Sequence, residues 1–251
     1  MHRARRPLAS PPRPSRDQRH AVVIRGILFD LDDTLFDHRG AADAAITSWA
    51  SAYFPGHARL GEVAALWAGL EIPYMAMWQA GECSMEEQRR RRLRALCREL
   101  AVPEPDDLDA AYTEFTERYR QRWTAFPDVA GALAALGGFA FGVLTNGGQR
   151  MQEAKIRAIG LAGALGPVLT GEVLGGHFKP SPGSYTGAAA ALGLAPEDVL
   201  LVGDDVDKDV TGPAPTGMRS VWLDRRGIER PPAGFPRITT LADLPQLVHQ
   251  R

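Results

Sequence analysis

Five short apolar runs punctuate the chain, at residues 22–29, 139–144, 167–169, 199–202 and 220–223. Most are rich in Val, Leu, Ile and Phe and lack apolar–polar alternation, the pattern of strands covered on both faces. Helical stretches at 128–136, 150–161 and 183–192 separate the later runs, and 241–248 reads as a closing helix. Alternation of strand and helix predicts right-handed crossovers and a parallel, three-layer α/β sheet of Rossmann-like type.

The interval from Gly40 to Phe126 has no strand-like run. Four helical segments fit it, at 41–53, 61–79, 84–100 and 105–123, and Ser84 and Glu87 have capping-box spacing at the third start. The block is too long for a simple crossover. It predicts an α-helical cap domain over 40–126, inserted into an α/β core made of 21–39 and 127–251, with 1–20 as a tail.

Composition and charge narrow the picture. At 251 residues, 45% hydrophobic and 24% charged, the chain reads as one large globular domain or one domain with a sizeable insert. No window approaches the ~18 consecutive apolar residues of a membrane span. Cys83 and Cys97 are too few for a disulfide framework or a four-ligand zinc site. A reducing, cytoplasmic setting fits. Six arginines (Arg3, Arg5, Arg6, Arg13, Arg16, Arg19) against Asp17 make the first twenty residues basic, while the whole chain carries −1, so the remainder is mildly acidic. That balance argues against nucleic acid as a partner. The tail has no apolar segment of a secretory signal, and Pro7, Pro11, Pro12 and Pro14 oppose a transit-peptide helix. It reads as a disordered extension, with a basic docking arm as the alternative. Lys155, Lys179 and Lys208 are the only lysines among 29 basic residues, a hint that a compact ammonium matters at those places.

The polar residues collect where the predicted strands end. The first ends in Asp30-Leu31-Asp32-Asp33-Thr34, the second in Thr145-Asn146-Gly147-Gly148, the fourth in Gly203-Asp204-Asp205 with Asp207 and Asp209 beyond, and the fifth in Asp224; Lys179 follows the third. In an open α/β sheet, ligands bind outside the carboxyl ends of the strands. Carboxylates gathered there repel one another unless a cation compensates, and all-oxygen ligands suit Mg²⁺. A carboxylate can attack phosphorus, and a second one two residues on can serve as general acid and base. Asp30 and Asp32 have that spacing, Thr145 and Asn146 can donate to phosphoryl oxygens, and Lys179 adds positive charge.

With these motifs the chain resembles the haloacid dehalogenase (HAD) superfamily of hydrolases, phosphatase type, in the class with a helical cap after the first motif (C1 cap, subfamily I). ILFDLDDTLFD is similar to the first family motif, VLTNGG to the second, Lys179 in HFKPSPGSY to the third, and VLLVGDDVDKD to the fourth. The resemblance implies Asp30 as nucleophile and Mg²⁺ ligand, and Asp32 as general acid/base with its backbone carbonyl on the metal. It implies Asp204 as a metal ligand with Asp209 or Asp205 in support, Thr145 and Asn146 on the phosphoryl group, and Lys179 holding Asp30 and phosphate together. Thr34 would orient the first loop. Halide-displacing members carry another residue at the position of Asp32 and use no metal, so Asp32 points to phosphoryl chemistry. The cap has no lysine, which excludes the Schiff-base chemistry of phosphonate-cleaving relatives. The stretch 210–217 departs from the family, since Pro213 and Pro215 should shorten or distort the helix after the fourth motif.

Other features carry two readings. Arg89–Arg92 and Arg94 fan around a helix as a solvated face, or one of them reaches the substrate. Trp67, Tyr74, Met75, Met77 and Trp78 make the cap's core or line a pocket for a flat group. His38 and His177 are placed to face the cleft, and Gly147-Gly148 opens a phosphate-binding helix or makes a plain turn. The expected activity is an Mg²⁺-dependent phosphatase acting on a small phosphorylated metabolite (a sugar phosphate, nucleoside monophosphate or phosphoglycolate) through an aspartyl-phosphate, as a monomer or homodimer without nucleic-acid or membrane partners. A phosphomutase or a catalytically silent binding protein of the same fold are the alternatives.

Overall fold

A computed structural model describes residues 23–227 and 233–249. The expectation for the basic tail lies outside the described residues.

Six parallel strands form one sheet in the order β3-β2-β1-β4-β5-β6. They are β1 (Gly26–Phe29), β2 (Ala140–Leu144), β3 (Val168–Leu169), β4 (Val199–Gly203), β5 (Arg219–Leu223) and β6 (Arg237–Ile238). The missing alternation has the expected cause. Ile27 and Phe29 pack into a large cluster on one face with Val143, Val202 and Val221. Leu28 packs on the other face with Leu144, Leu201 and Tyr185. The strand order reverses at β1 and β4, so their carboxyl ends open the crevice where such sheets bind ligands.

Four helices follow β1: α1 (His38–Tyr53), α2 (Val63–Gln79), α3 (Met85–Leu100) and α4 (Leu108–Arg120). Asp37 caps α1 by accepting from the Gly40 N–H, and Asp107 caps α4 through the N–H groups of Asp109 and Ala110. Ser84 accepts from Glu87 N–H at the start of α3, but Glu87 turns its carboxylate to Arg90 and Arg91, so only half of the expected capping box forms. α1 buries Ala41, Ala42, Ala45, Ile46, Trp49 and Ala50, a continuous helical stripe. α2 buries only Val63 and Trp67 fully. Its remaining face, with Ala68, Glu71, Ile72, Met75, Ala76 and Gln79, lines a cavity over the sheet edge.

α5 (Val129–Ala135), α6 (Gln149–Ala158) and α7 (Pro182–Ala191) alternate with the later strands, and α8 (Leu244–His249) closes the chain after a short 3₁₀ turn. After β4 the chain makes a wide π-type turn over Val206–Thr211, then a 3₁₀ turn over Ala214–Thr216 ended by Gly217 at φ 83°. Pro213 has no N–H to continue a helix, so the interruption expected from the two prolines is present. Among the described residues, no helix is long and apolar enough to cross a membrane.

Candidate active site

Asp30 follows the last residue of β1, and its N–H donates to Val202 O, which continues the ladder to β4. The residue is 7% exposed, and its carboxylate accepts from Lys179 Nζ at 2.7 Å. The same ammonium donates to Asp209 Oδ1 at 2.6 Å. Asp209 is buried, and its other oxygen accepts the Asp205 N–H. Gly203 makes this possible: a Cβ there would lie 2.3 Å from Asp209 Oδ2. The π-type turn therefore leaves Asp209 well placed despite the prolines behind it.

Asp30, Asp204 and Asp209 offer three carboxylate oxygens within 4.8 Å of one another. Burial pushes the Asp30 carboxyl up to about 7, with Lys179 opposing and Asp209 adding. Burial, then the charges of Asp30 and Asp209, push Asp204 up to about 8. Three crowded carboxylates against one lysine form a hard oxygen donor set that fits a divalent cation such as Mg²⁺. A cation must displace the protons that burial favours, so its affinity is expected to rise at least about tenfold from pH 6 to pH 8.5. Calorimetric titration with Mg²⁺ in buffers of different ionisation enthalpy checks this through proton release; pH-independent binding would contradict the donor set.

Asp32 faces the same cavity but belongs to a second cluster. Lys155 Nζ donates to its Oδ1 at 2.6 Å and Gln152 Nε2 to its Oδ2 at 2.9 Å. Burial raises the Asp32 carboxyl, and Lys155 and His38 more than offset it, so it lies below the usual range. Gln152 Nε2 also donates to Thr145 Oγ1 at 2.7 Å, tying the first loop to the end of β2. Because Thr145 Oγ1 accepts there, its own proton is free to point elsewhere. Gly147 lets Gln152 approach, since a Cβ would stand 2.6 Å from its side chain.

Sequence reasoning missed Lys155 and Gln152 as partners of Asp32. The scarcity of lysine was the available signal: all three lysines contact these loops, with Lys208 paired to Asp205 and lining the cavity. Gln152 carried no signal beyond its i,i+3 spacing to Lys155 on α6.

Several expectations need correction. Asn146 also clamps the lysine loop, since its Nδ2 donates to Lys179 O and its Oδ1 accepts Lys179 N–H, which leaves one amide N–H over. Asp205 lies outside the carboxylate triplet, because it caps the π-type turn through the N–H groups of Asp207 and Lys208 and pairs with Lys208. Asp224 pairs with Arg237. Thr34 holds its loop through its backbone carbonyl, which accepts from Arg225, while its hydroxyl is buried without a partner. Gln149 N–H at the start of α6 donates to Glu172, so this amide is not free for phosphate. His177 is exposed. The arginine run is not uniformly solvated: Arg92 is 4% exposed, stacks 3.7 Å over the Trp67 ring and donates to Trp67 O and Glu71. Trp67 belongs to the core, whereas Met75 lines the cavity and Trp78 packs on Phe178.

The cavity above these clusters measures about 330 Å³. Its floor holds Asp30, Asp32, Thr145, Lys179 and Asp204; its roof is α2, with Gln79 donating to Asn146 O.

A parallel sheet carrying a buried carboxylate-lysine cluster at its carboxyl edge defines a hydrolase-type site, and similarity agrees. Residues 24–215 match the haloacid dehalogenase-like hydrolase family, and the chain belongs to it. It is 35% identical over 189 residues to a phosphoserine phosphatase of Thermus thermophilus, covering 73% of this chain and 70% of that one. It is 29% identical over 223 residues to a glyceraldehyde 3-phosphate phosphatase of Methanopyrus kandleri, covering 82% and 85%. A (S)-2-haloacid dehalogenase of Pseudomonas sp. is 29% identical over 211 residues, covering 81% and 84%. Among solved structures, magnesium-bound YfnB of Bacillus subtilis shares the fold at TM-score 0.73 and 20% identity, covering 90% of this chain and 99% of that one.

Proposed function

We propose that this hydrolase is a divalent-cation-dependent phosphatase acting on a small phosphorylated metabolite, with Asp30 as nucleophile. Phosphatases and haloacid dehalogenases both stand among its relatives. The observation that favours the first is Asp32, a second carboxylate held by Lys155 and Gln152 at the wall of the same cavity.

Asp30 attacks phosphorus as the bond to the leaving oxygen breaks, and that oxygen takes its proton from Asp32, whose low resting carboxyl the negative charge of a bound phosphate would raise so that it carries a proton. Water then attacks the aspartyl-phosphate at phosphorus, Asp32 takes a proton from it, and the bond between phosphorus and the Asp30 carboxylate oxygen breaks. Lys179 keeps Asp30 in place, and Thr145 Oγ1–H with the amides of Asn146 and Gly147 serve the phosphoryl oxygens. Asp30, Asp204 and Asp209, with the Asp32 carbonyl, would hold Mg²⁺, which would offset negative charge on the phosphoryl group. The helices of 40–126, which we read as a cap domain, place α2 over the cavity and exclude bulk water.

The test uses p-nitrophenyl phosphate with Mg²⁺, whose leaving group needs little acid help. The wild type is expected to release phosphate. Asp32→Asn is expected to release one equivalent of p-nitrophenol in a burst and then turn over ~10²–10⁴-fold more slowly, because the second step lacks its base. Absence of phosphate release by the wild type would refute the phosphatase reading; wild-type steady turnover by the variant would refute the role of Asp32.

A further inference from the structure

Gln152 of α6 is 1% exposed and does not line the cavity over Asp30, yet two groups that do line it are bonded to its side chain. Nε2 donates to Asp32 Oδ2 at 2.9 Å and to Thr145 Oγ1 at 2.7 Å. A primary amide nitrogen carries two hydrogens, so both are committed. Charge fixes which way the amide faces. Turned over, Oε1 would meet the Asp32 carboxylate, acceptor against acceptor.

The first consequence falls on Thr145. A hydroxyl rotates to suit its partners, and one that accepts from Nε2 has a single proton left to give. Among the described residues no acceptor takes that proton. Thr145 lines the cavity, so its proton is left for a phosphoryl oxygen and is aimed before substrate arrives.

The second consequence falls on Asp32. Lys155, three residues further along the same helix, donates to Oδ1 at 2.6 Å, so each carboxylate oxygen has one donor from α6. Two donors fix the plane of the carboxylate, and each oxygen keeps a lone pair for a proton. The Lys155 ammonium is itself seated 4.9 Å from the Phe36 ring centre and 5.6 Å from that of Tyr119. Gln152 is uncharged, so its bond holds Asp32 with or without a proton. A group that gives a proton in one step and takes one in the next needs such an anchor.

We propose that Gln152 is a positioning residue for both arms of the site: one hydrogen aims the Thr145 proton at the phosphoryl group, and the other holds Asp32 toward the leaving oxygen. The inference rests on the phosphatase reading above. Gln152 acts only through Thr145 and Asp32.

The test uses p-nitrophenyl phosphate and benzyl phosphate with Mg²⁺, esters of similar size whose leaving oxygens differ in their need for a proton. Gln152→Met keeps the side chain's length and removes both hydrogen bonds. It is expected to lower kcat/KM on benzyl phosphate about tenfold more than on p-nitrophenyl phosphate, because the benzyl ester depends more on a well-placed acid. In Asp32→Asn the same change should move that ratio by less than about twofold, since no acid is left to misplace. For the other arm, Gln152→Met is expected to weaken competitive inhibition by inorganic phosphate about fivefold, and to leave it unchanged once Thr145→Val has removed the hydroxyl. A loss of packing alone would lower both esters alike and would persist in both backgrounds. An unchanged ester ratio, or effects that survive in Asp32→Asn and Thr145→Val, would overturn the assignment.

A crystal structure of the wild type with Mg²⁺ and orthovanadate decides without a variant, should Gln152→Met fail to fold. Nε2 is expected within hydrogen-bond distance of Asp32 and Thr145 Oγ1, with Oγ1 on a vanadate oxygen. Gln152 turned from either partner, or Oγ1 turned from vanadate, would overturn it equally. Phosphate release from both esters with an unchanged ratio defeats the positioning role alone. No release from either ester by the wild type defeats the phosphatase reading and this role with it.

Discussion

Asp30→Asn is expected to lower kcat on p-nitrophenyl phosphate by on the order of 10⁴-fold or more, because the proposed reaction forms its covalent intermediate on this carboxylate. The same change should leave the melting temperature equal to that of the wild type or above it. Asp30 is buried with its carboxyl pushed up to about 7, and Asp204 and Asp209 crowd it. Asn is near in shape and removes one of three like charges while Lys179 keeps Asp209. Stopped-flow assay and calorimetry read the two quantities separately. Activity within tenfold of the wild type would end the assignment of Asp30 as nucleophile.

Lys179→Met should behave differently, losing activity and stability together. Lys179 is 3% exposed and bridges Asp30 and Asp209. Taking one partner out of a buried ionic cluster leaves uncompensated charge and costs about 3–5 kcal/mol. For a protein of this size that corresponds to a drop in melting temperature of roughly 10 °C without added cation. A melting temperature within about 2 °C of the wild type would show that the bridge contributes little to folding. The contrast between the variants separates a group kept for chemistry from one that also holds the sheet edge together.

The two clusters differ in how far the chain announces them. Asp30, Thr145 and Asp204 each follow an apolar run, so strand recognition placed them at one edge before any contact was known. The helix count between β1 and β2 was readable for the same reason, since apolar spacing survives in isolation. β6 was not readable: Arg237–Ile238 is a two-residue edge strand with no period to detect. Lys155 and Gln152 reach Asp32 across more than a hundred residues, through the way α6 packs under the first loop, and local pattern carries no such information. Arg92 shows the limit of face arguments. Its helix fans charge in all directions, yet α2 covers one sector, and the arginine there is buried against Trp67. Asn146 ends a strand, which says nothing of its second task; only the geometry shows its amide bonded to the backbone of Lys179.

The distribution of side-chain amines has a practical consequence. The chain has three lysines, two with side chains 5% and 2% exposed beneath the cavity and the third, Lys208, 42% exposed at its rim. An acylating reagent added to the folded protein therefore meets a single accessible lysine amine, and that amine borders the mouth of the cavity. Mass spectrometry of such labelling would turn the protein's avoidance of lysine into a built-in gauge of whether the mouth is occupied.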